Sequence, residues 1–206
     1  MEELKYHYKY PHPAVTTDCV IFGYDGERLK VLLIERSREP YKGKWAFPGG
    51  FLNIDESAED GALRELQEET GLTHVKIRQF HAFSSPGRDP RERVISIAYF
   101  ALVRLDEVRV RGGDDAARAD WFRVDDMPPL AFDHEEMFCL ATESLRRCAG
   151  VEPIGGEVLP DKFTLSEFTS LYSAIFGTDV TGKMLDCGLI APVGNPGKPL
   201  YEFRMT

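Results

Sequence analysis

The stretch of residues 50–72 constrains this chain more than any other part of its sequence. A glycine is followed after five residues by Glu and, after seven more, by Arg-Glu-Leu-x-Glu-Glu-x-Gly-Leu. Residues 57–70 contain no proline, and apolar residues recur there every four positions, at Ala58, Ala62 and Leu66. This spacing places the apolar side chains along one stripe and predicts an amphipathic helix.

Three glutamates occupy a second face of the predicted helix. Glu65, Glu68 and Glu69 stand at positions i, i+3 and i+4, where like charges repel by roughly 0.2–0.5 kcal/mol per pair. A hard divalent cation with oxygen ligands offsets this repulsion, and Mg²⁺ is the usual ion where phosphate supplies further ligands. A solvated acidic surface is the alternative, but the full pattern favours a metal site. Gly71 suits the left-handed position that ends a helix.

The pattern resembles the Nudix box at every defined position, and the resemblance implies roles for its residues. Glu65, Glu68 and Glu69 would bind Mg²⁺ or Mn²⁺, with the Gly49 carbonyl as a further ligand. Arg64 would orient the glutamates through charge-assisted hydrogen bonds. The box residues with structural roles would be Gly50, Glu56 and Gly71. The implied reaction is attack of a metal-activated water on phosphorus.

The resemblance leaves the general base open, because different members of the family use different carboxylates. Glu65 is the first choice for the general base within the box. The predicted helix would then supply a catalytic residue in addition to the metal ligands. Glu92 and Glu135, which lie outside the box, are the alternatives.

Composition bounds the class of protein. A chain of 206 residues with 43% hydrophobic content allows one large domain or two smaller ones with packed cores. Four scattered cysteines indicate neither a zinc site nor a disulfide framework. The sequence shows no signal peptide and no apolar run of membrane-spanning length, so we expect a cytoplasmic protein without a membrane partner. The net charge of −9 disfavours non-specific nucleic-acid binding, but a metal ion would still allow a nucleotide ligand.

Residues 1–149 are predicted to form the first domain, and the resemblance covers residues 14–149. Strands are predicted at Ala14–Phe22, Leu29–Glu35, Val75–Phe83, Val94–Val103, Val108–Arg111 and Asp120–Arg123. A capping box at Asp133 and Glu136 predicts a closing helix. This order matches the α/β class and the Nudix α/β/α sandwich, in which helices cover a mixed β-sheet.

Two segments bear on the substrate. The loop 84–93 contains Arg88 and Arg91, whose planar donors suit phosphate, although a merely charged loop is the alternative. This loop and the strand after it resemble the R-D-P-R…S-x-A-Y pattern of ADP-ribose pyrophosphatases and related regulators of NAD metabolism. The resemblance implies a nucleoside diphosphate-linked small molecule such as ADP-ribose.

The second segment precedes the box. Arg36 stands where related enzymes often present a phosphate-binding arginine. Trp45 and Phe47 are candidates for stacking on a base, with packing in the core as the alternative for each.

Composition changes after residue 149. Glycines and prolines over residues 150–160 predict a linker, and residues 161–206 are predicted to form a second unit. A capping box at Thr164 starts a helix, a second helix is predicted at Lys183–Ile190, and a strand at Pro199–Arg204. This order resembles the winged-helix domain fused to Nudix domains in bacterial transcriptional regulators.

The second unit departs from that family's pattern. Residues 151–206 contain four basic and seven acidic side chains, a net charge of −3, whereas DNA affinity depends on Lys and Arg neutralising phosphates. The basic stretch expected before Met184 is short, and so is the wing before Lys198. The unit has either lost DNA binding, or residues are missing near Thr181 and Gly197. We therefore expect a Mg²⁺-dependent hydrolase, with a ligand-sensing DNA-binding regulator as the alternative, and a homodimer in either case.

Overall fold

The secondary structure follows the sequence pattern closely over most of the chain. The computed structural model describes residues 9–110, 116–180, 188–193 and 199–204. Its strands are Ala14–Tyr24 (β1), Leu29–Arg36 (β2), Trp45–Ala46 (β3), Gly49–Phe51 (β4), Arg78–Phe83 (β5), Val94–Arg104 (β6), Ala116–Arg123 (β7), Ile190–Val193 (β8) and Leu200–Phe203 (β9). Its helices are Ala58–Thr70 (α1), His134–Val151 (α2) and Leu165–Phe176 (α3), with a 3₁₀ turn at Ile154–Glu157.

The first seven strands form one mixed sheet. The order β3-β2-β1-β6-β5 runs through it, β4 pairs with β1, and β7 pairs with β2. The pairing of β1 with β6 is parallel, whereas the other pairings are antiparallel. The central strands are rich in Val, Ile and aromatic residues because both of their faces are covered.

Helices cover the two faces of β1. Its side chains alternate, so Cys19 and Ile21 pack with Leu66 of α1, while Val20 and Phe22 pack with α2 on the opposite face. The helix predicted from the box begins after Ser57, which accepts a hydrogen bond from the backbone of Asp60, and ends at Gly71 with φ 74°. The predicted α/β fold with a mixed sheet between helices is therefore confirmed.

Some local predictions were wrong. Residues 108–110 are not a strand, and Arg111 lies outside the described residues. Asp133 does not cap α2, because its carboxylate instead binds Arg88. The helix predicted at Lys183–Ile190 falls mostly outside the described residues, and Ile190 begins a strand. Thr181 and Gly197 also lie outside the described residues.

The C-terminal elements pack on the same core as the sheet. The predicted capping box of α3 is confirmed, since Thr164 and Glu167 exchange both hydrogen bonds. The buried side chains of Phe168 and Tyr172 belong to the hydrophobic cluster that contains Phe22 of β1. Two residues of the segment predicted as a linker, Ile154 and Val158, belong to it too. The division into two domains stays a prediction.

The strands β8 and β9 form a separate antiparallel hairpin. It touches the region before α3 through the pairing of Phe163 with Tyr201. In the described part of the chain, no helix combines the length and the apolar character needed to cross a membrane.

Candidate active site

A cleft of about 370 Å³ opens where β1, β2, β4 and α1 meet the loop 84–93 and the start of α2. It gathers most of the residues that the sequence predicted for a site. Those that line it are Arg36, Phe47, Gly49, Gly50, Arg64, Glu65, Glu69, Arg88 and Arg91. Neither Glu68, Trp45, Glu56 nor Gly71 is part of its lining.

Arg64 is the centre of an ion-pair network on α1. Its Nη2 and Nε donate to the two carboxylate oxygens of Glu56 at 2.7 and 3.0 Å. Its Nη1 donates to Glu65 Oε1 at 2.7 Å and to Glu68 Oε2 at 3.2 Å. The Arg64 guanidinium holds the pKa of Glu56 at about 2, and the carboxylates raise the pKa of Arg64. The arginine thus fixes the loop before α1 to the helix.

Glu69 is the most deeply buried of the three glutamates, with only 8% of its surface exposed. Its Oε2 accepts a hydrogen bond from the Gly49 backbone N–H at 2.8 Å. Burial raises the pKa of Glu69 to about 8, and the neighbouring carboxylates of Glu65 and Asp18 add to the increase. The positive charge of Arg36 opposes this increase but does not cancel it.

Gly49 and Gly50, the first two residues of β4, let acidic groups approach the backbone of this strand. A Cβ on Gly50 would stand 2.4 Å from the carboxyl carbon of Glu65, and one on Gly49 would stand 2.8 Å from Asp18 Oδ1. Burial also raises the pKa of Glu65, against the opposing effect of Arg64. Glycine at both positions is therefore required for this packing of carboxylates.

The chemistry of these donors fits the divalent ion that the sequence predicts. Glu65 is half-buried and Glu69 is buried, and burial raises the pKa of both carboxyl groups. Hard divalent ions prefer oxygen ligands of this kind. In the described residues, however, no three His, Cys, Asp or Glu side chains already form a metal-binding group. The carboxylate of Glu68 is 59% exposed and paired with Arg64. Binding would therefore require Glu68 to turn towards its neighbours.

Arg88 borders the cleft but its guanidinium is committed elsewhere. Its Nε and Nη2 donate to both carboxylate oxygens of Asp133 at 2.8 and 2.6 Å, and its side chain is 4% exposed. The pair raises the pKa of Arg88 although burial lowers it. The structure favours a structural role for Arg88 over the predicted phosphate contact.

Arg36 and Arg91 line the same cleft as Glu65 and Glu69. Arg36 donates to the Pro40 carbonyl at 2.8 Å and, among the described residues, has no carboxylate within ion-pair distance. Burial and the nearby charge of Arg91 lower its pKa. Arg91 pairs with Asp89 at 2.7 Å. The cleft therefore combines guanidinium groups with carboxylates.

The two predicted aromatic residues are packed within the protein. Trp45 makes an edge contact with Phe122 at 4.6 Å between ring centroids. Phe47 is 1% exposed and stacks on the ring of His134 at 5.4 Å. The packing alternative is confirmed for Phe47, and Trp45 contacts the core cluster from a half-buried position.

The cleft also contains a polar group around Asp18 and His134 that the sequence did not indicate as part of a site. Ser96 donates a short hydrogen bond to Asp18, and His134 Nε2 lies 3.6 Å from the other Asp18 oxygen. His134 Nδ1 accepts a hydrogen bond from the Phe47 backbone N–H at 2.9 Å. The signal was present, since Asp18 and Ser96 interrupt apolar strands. Their juxtaposition depends on the parallel pairing of β1 with β6.

The two alternatives for the general base lie away from this site. Glu92 and Glu135 are exposed, and neither belongs to the residues that line the cleft. Of the three candidates for the general base, Glu65 is the one that lines the cleft.

Two characterised proteins resemble this chain over much of its length. An ADP-ribose pyrophosphatase of Methanocaldococcus jannaschii is 42% identical over 135 residues, which covers 66% of this chain and 76% of the relative. An ADPR responsive transcriptional repressor, NtrR, of Acinetobacter baylyi is 30% identical over 211 residues, which covers 95% of this chain and 84% of the relative.

Solved structures agree with these matches. A MutT/nudix family protein from Enterococcus faecalis superposes with a TM-score of 0.84 at 31% identity, covering 97% of this chain and 90% of its own. Shewanella oneidensis NrtR superposes with a TM-score of 0.74 at 30% identity, covering 93% and 94%. NrtR has also been solved with a 27mer DNA, and its NUDIX domain with ADP ribose.

The family model for the NUDIX domain matches residues 12–165. That span includes the box, the cleft and the start of α3. With its box intact and its sheet and helices in the expected order, this chain belongs to the NUDIX family.

Proposed function

We propose that this protein is a Mg²⁺- or Mn²⁺-dependent hydrolase that cleaves the pyrophosphate of ADP-ribose or a similar nucleoside diphosphate derivative. The observation that carries the proposal is the charge distribution of the cleft. The carboxylates of Glu65 and Glu69 and the guanidinium of Arg36 line the same cleft, and the charges of Arg36 and Glu69 influence each other. Hydrolysis of a pyrophosphate needs a metal ion, which carboxylates can hold, and direct hydrogen-bond donors to the phosphate oxygens. The pyrophosphatase relative supports the same substrate class.

Nudix hydrolases generally use divalent metal ions. In this chain Glu65, Glu68, Glu69 and the Gly49 carbonyl would hold the ion, as the box resemblance implies. When bound, it supplies Lewis-acid polarisation of the phosphoryl oxygens and lowers the pKa of water.

The side chains of the cleft then have distinct tasks. Arg36 binds a non-bridging phosphate oxygen through its planar donors. Glu65 is the general base, and Oε2 receives the proton because Arg64 donates to Oε1. The water oxygen bonds to phosphorus as the bridging P–O bond breaks, and the bridging oxygen leaves with the second phosphate. The products are a nucleoside monophosphate and a sugar phosphate.

A substrate screen tests this proposal. The purified chain is assayed with a panel of nucleoside diphosphate derivatives and Mg²⁺, and we expect ADP-ribose to be hydrolysed. Glu69→Gln should lower kcat/KM by about 10²- to 10³-fold, since it removes a carboxylate from the metal site. Glu59→Gln is the matched control, because Glu59 is an exposed residue of the same helix. Full activity of Glu69→Gln would contradict the proposed metal site.

A ligand-sensing regulator is the second candidate. It is favoured by the repressor relative, which matches 95% of this chain, and by the order of α3 and the β8–β9 hairpin after the sheet. In this reading the cleft binds an ADP-ribose-like metabolite and the C-terminal elements bind DNA. Shewanella oneidensis NrtR, which resembles this chain in structure, has been solved with DNA.

DNA binding is measured with the full chain at several salt concentrations. A regulator should bind a specific duplex with an affinity that falls steeply as salt increases, because each phosphate contact releases counterions. Absence of binding even near 50 mM salt would contradict this candidate and leave the hydrolase. The predicted homodimer can be measured in the same samples by light scattering.

A further inference from the structure

A group of aromatic rings and guanidinium groups belongs to the lining of the cleft. Phe51, the last residue of β4, is 40% exposed although it is a large apolar side chain. The guanidinium carbon of Arg91 lies 5.0 Å from its ring centroid and 6.0 Å from that of Phe132. Both rings line the cleft.

The guanidinium of Arg91 is held in place. Asp89 accepts hydrogen bonds from Arg91 Nε and Nη2 at 3.0 and 2.7 Å, and the Asp89 side chain is only 3% exposed. This pairing neutralises one edge of Arg91 and raises its pKa. The face of the guanidinium remains beside Phe51, so the two groups make a fixed surface for a planar partner.

The backbone around Phe132 is strained in a way that supports this surface. Phe132 and Tyr41 both have left-handed backbone angles, with φ of 55° and 65°, although neither is glycine. Tyr41 contacts the Phe132 ring edge-on at 4.8 Å, and Arg36 lies 4.8 Å from the same ring. Such conformations are unfavourable for a residue with a side chain and persist where the surroundings require them. Here they hold an aromatic ring at the rim of the cleft.

We propose that Phe51 and Arg91, backed by Phe132, form the platform on which the nucleobase of the substrate stacks. The inference rests on the proposed function and deepens it by dividing the work of the two arginines. Arg36 lacks a carboxylate partner among the described residues and binds phosphate. Arg91 is already neutralised by Asp89 and binds the face of the base. The sequence offered Trp45 and Phe47 as stacking candidates. Trp45 instead packs against Phe122, and the ring of Phe47 stacks on His134.

A pair of ligands that differ only by the base tests the platform. AMP and ribose 5-phosphate each carry one phosphate and no pyrophosphate, so calorimetry in the presence of Mg²⁺ measures binding without turnover. We expect the wild-type chain to bind AMP at least about tenfold more tightly, because stacking one base on an aromatic side chain contributes about 5- to 150-fold. Equal affinities for the two ligands would overturn the platform.

Variants then assign the contacts. Phe51→Ala should weaken AMP about tenfold and leave ribose 5-phosphate unchanged, and Arg91→Met should act in the same direction. Arg36→Met should weaken both ligands equally. Ile54→Ala is the control, since Ile54 is 73% exposed three residues from Phe51 and does not line the cleft. Equal weakening of both ligands by Phe51→Ala, in a protein with unchanged circular dichroism, would overturn the inference.

The test separates this inference from the proposed function. A chain that prefers AMP through Phe51 but does not hydrolyse ADP-ribose retains the platform and loses the hydrolase. A chain that hydrolyses ADP-ribose but binds AMP and ribose 5-phosphate alike retains the hydrolase and loses the platform.

Discussion

Arg88 and Arg91 are three positions apart in one loop, yet their guanidinium groups occupy different surroundings. Arg88 is nearly inaccessible and shares two hydrogen bonds with Asp133. Arg91 is 38% exposed and lies over an aromatic ring at the mouth of the cleft. The first is placed to stabilise the fold and the second to contact a ligand.

Substitution of each arginine should separate these effects. Arg88→Met should lower the free energy of unfolding by about 3–5 kcal/mol, because it leaves Asp133 partly buried without its cation. Arg91→Met should cost less, about 1.5–3 kcal/mol, because Arg91 is itself 38% exposed and the charge of Arg88 still acts on the buried carboxylate of Asp89. Urea unfolding at pH 7 measures both. Similar losses in the two variants would contradict the distinction.

The sequence could not make this distinction. It identified both arginines as phosphate-binding candidates, since both have the same planar donors and lie in one charged loop. Arg88 is the buried one because it pairs with Asp133, which lies 45 residues further along the chain. Only the fold brings these two residues together. By contrast, Arg64 and Glu56 belong to one loop-and-helix unit. The resemblance to the box implied that Arg64 orients the glutamates of α1, and Arg64 donates to Glu65 and Glu68.

At the scale of elements, the start of α2 is joined to the sheet by its first residue. His134 is 3% exposed, and its Nδ1 accepts a hydrogen bond from the backbone of Phe47 after β3. A proton on Nδ1 would remove that acceptor. Burial lowers the pKa of His134, although Asp18 and Asp133 oppose the decrease.

The stability of the protein should therefore depend on pH through His134. Its pKa is near 6.5 in the unfolded chain and lower in the folded protein, so the unfolded state binds the proton more readily. The contribution of His134 to stability is complete above pH 6.5 and is lost as the pH falls below it. Urea unfolding at a series of pH values measures the slope for wild type and His134→Gln. A slope below pH 6.5 that is unchanged in the variant would contradict this origin.

Helix starts show what local sequence can predict. The capping box at Thr164 is formed, because the side chains of Thr164 and Glu167 bond to each other's backbone and not to another described residue. The same pattern at Asp133 fails because a buried arginine takes the carboxylate. Gly71 ends α1 as predicted, since the preference of glycine for a left-handed backbone is intrinsic to the residue.

At the scale of the whole molecule, one hydrophobic cluster connects the sheet to α3. It contains Phe22 and Phe100 of the central strands, Leu145 of α2 and Phe168 of α3. Further contacts join these regions, since Tyr24 donates to Ser170 at 3.0 Å. The glycines and prolines after residue 149 predicted a linker, but composition alone does not reveal that Ile154 is buried there.

Truncation of Phe168 should therefore affect the sheet. Phe168→Ala should lower the free energy of unfolding by about 3–5 kcal/mol through the cavity it leaves. Both tryptophans lie in strands, at Trp45 and Trp121, so their fluorescence reports on the sheet. Their transition should shift to lower urea concentration in one step. The exposed Ser166→Ala of the same helix is the control, and an unshifted fluorescence transition in Phe168→Ala would show that α3 unfolds independently.

The three residues of β4 have a consequence for substrate length. In the proposed site the Gly49 carbonyl would bind the metal ion and Phe51 would carry the ring of the platform, while Gly50 admits Glu65. Because β4 is hydrogen-bonded to β1, the span from the ring to the acidic groups is fixed by two peptide units, about 7 Å of extended chain. The strand acts as a molecular ruler: a linkage with one more phosphate would carry its scissile bond past the glutamates once its base had stacked.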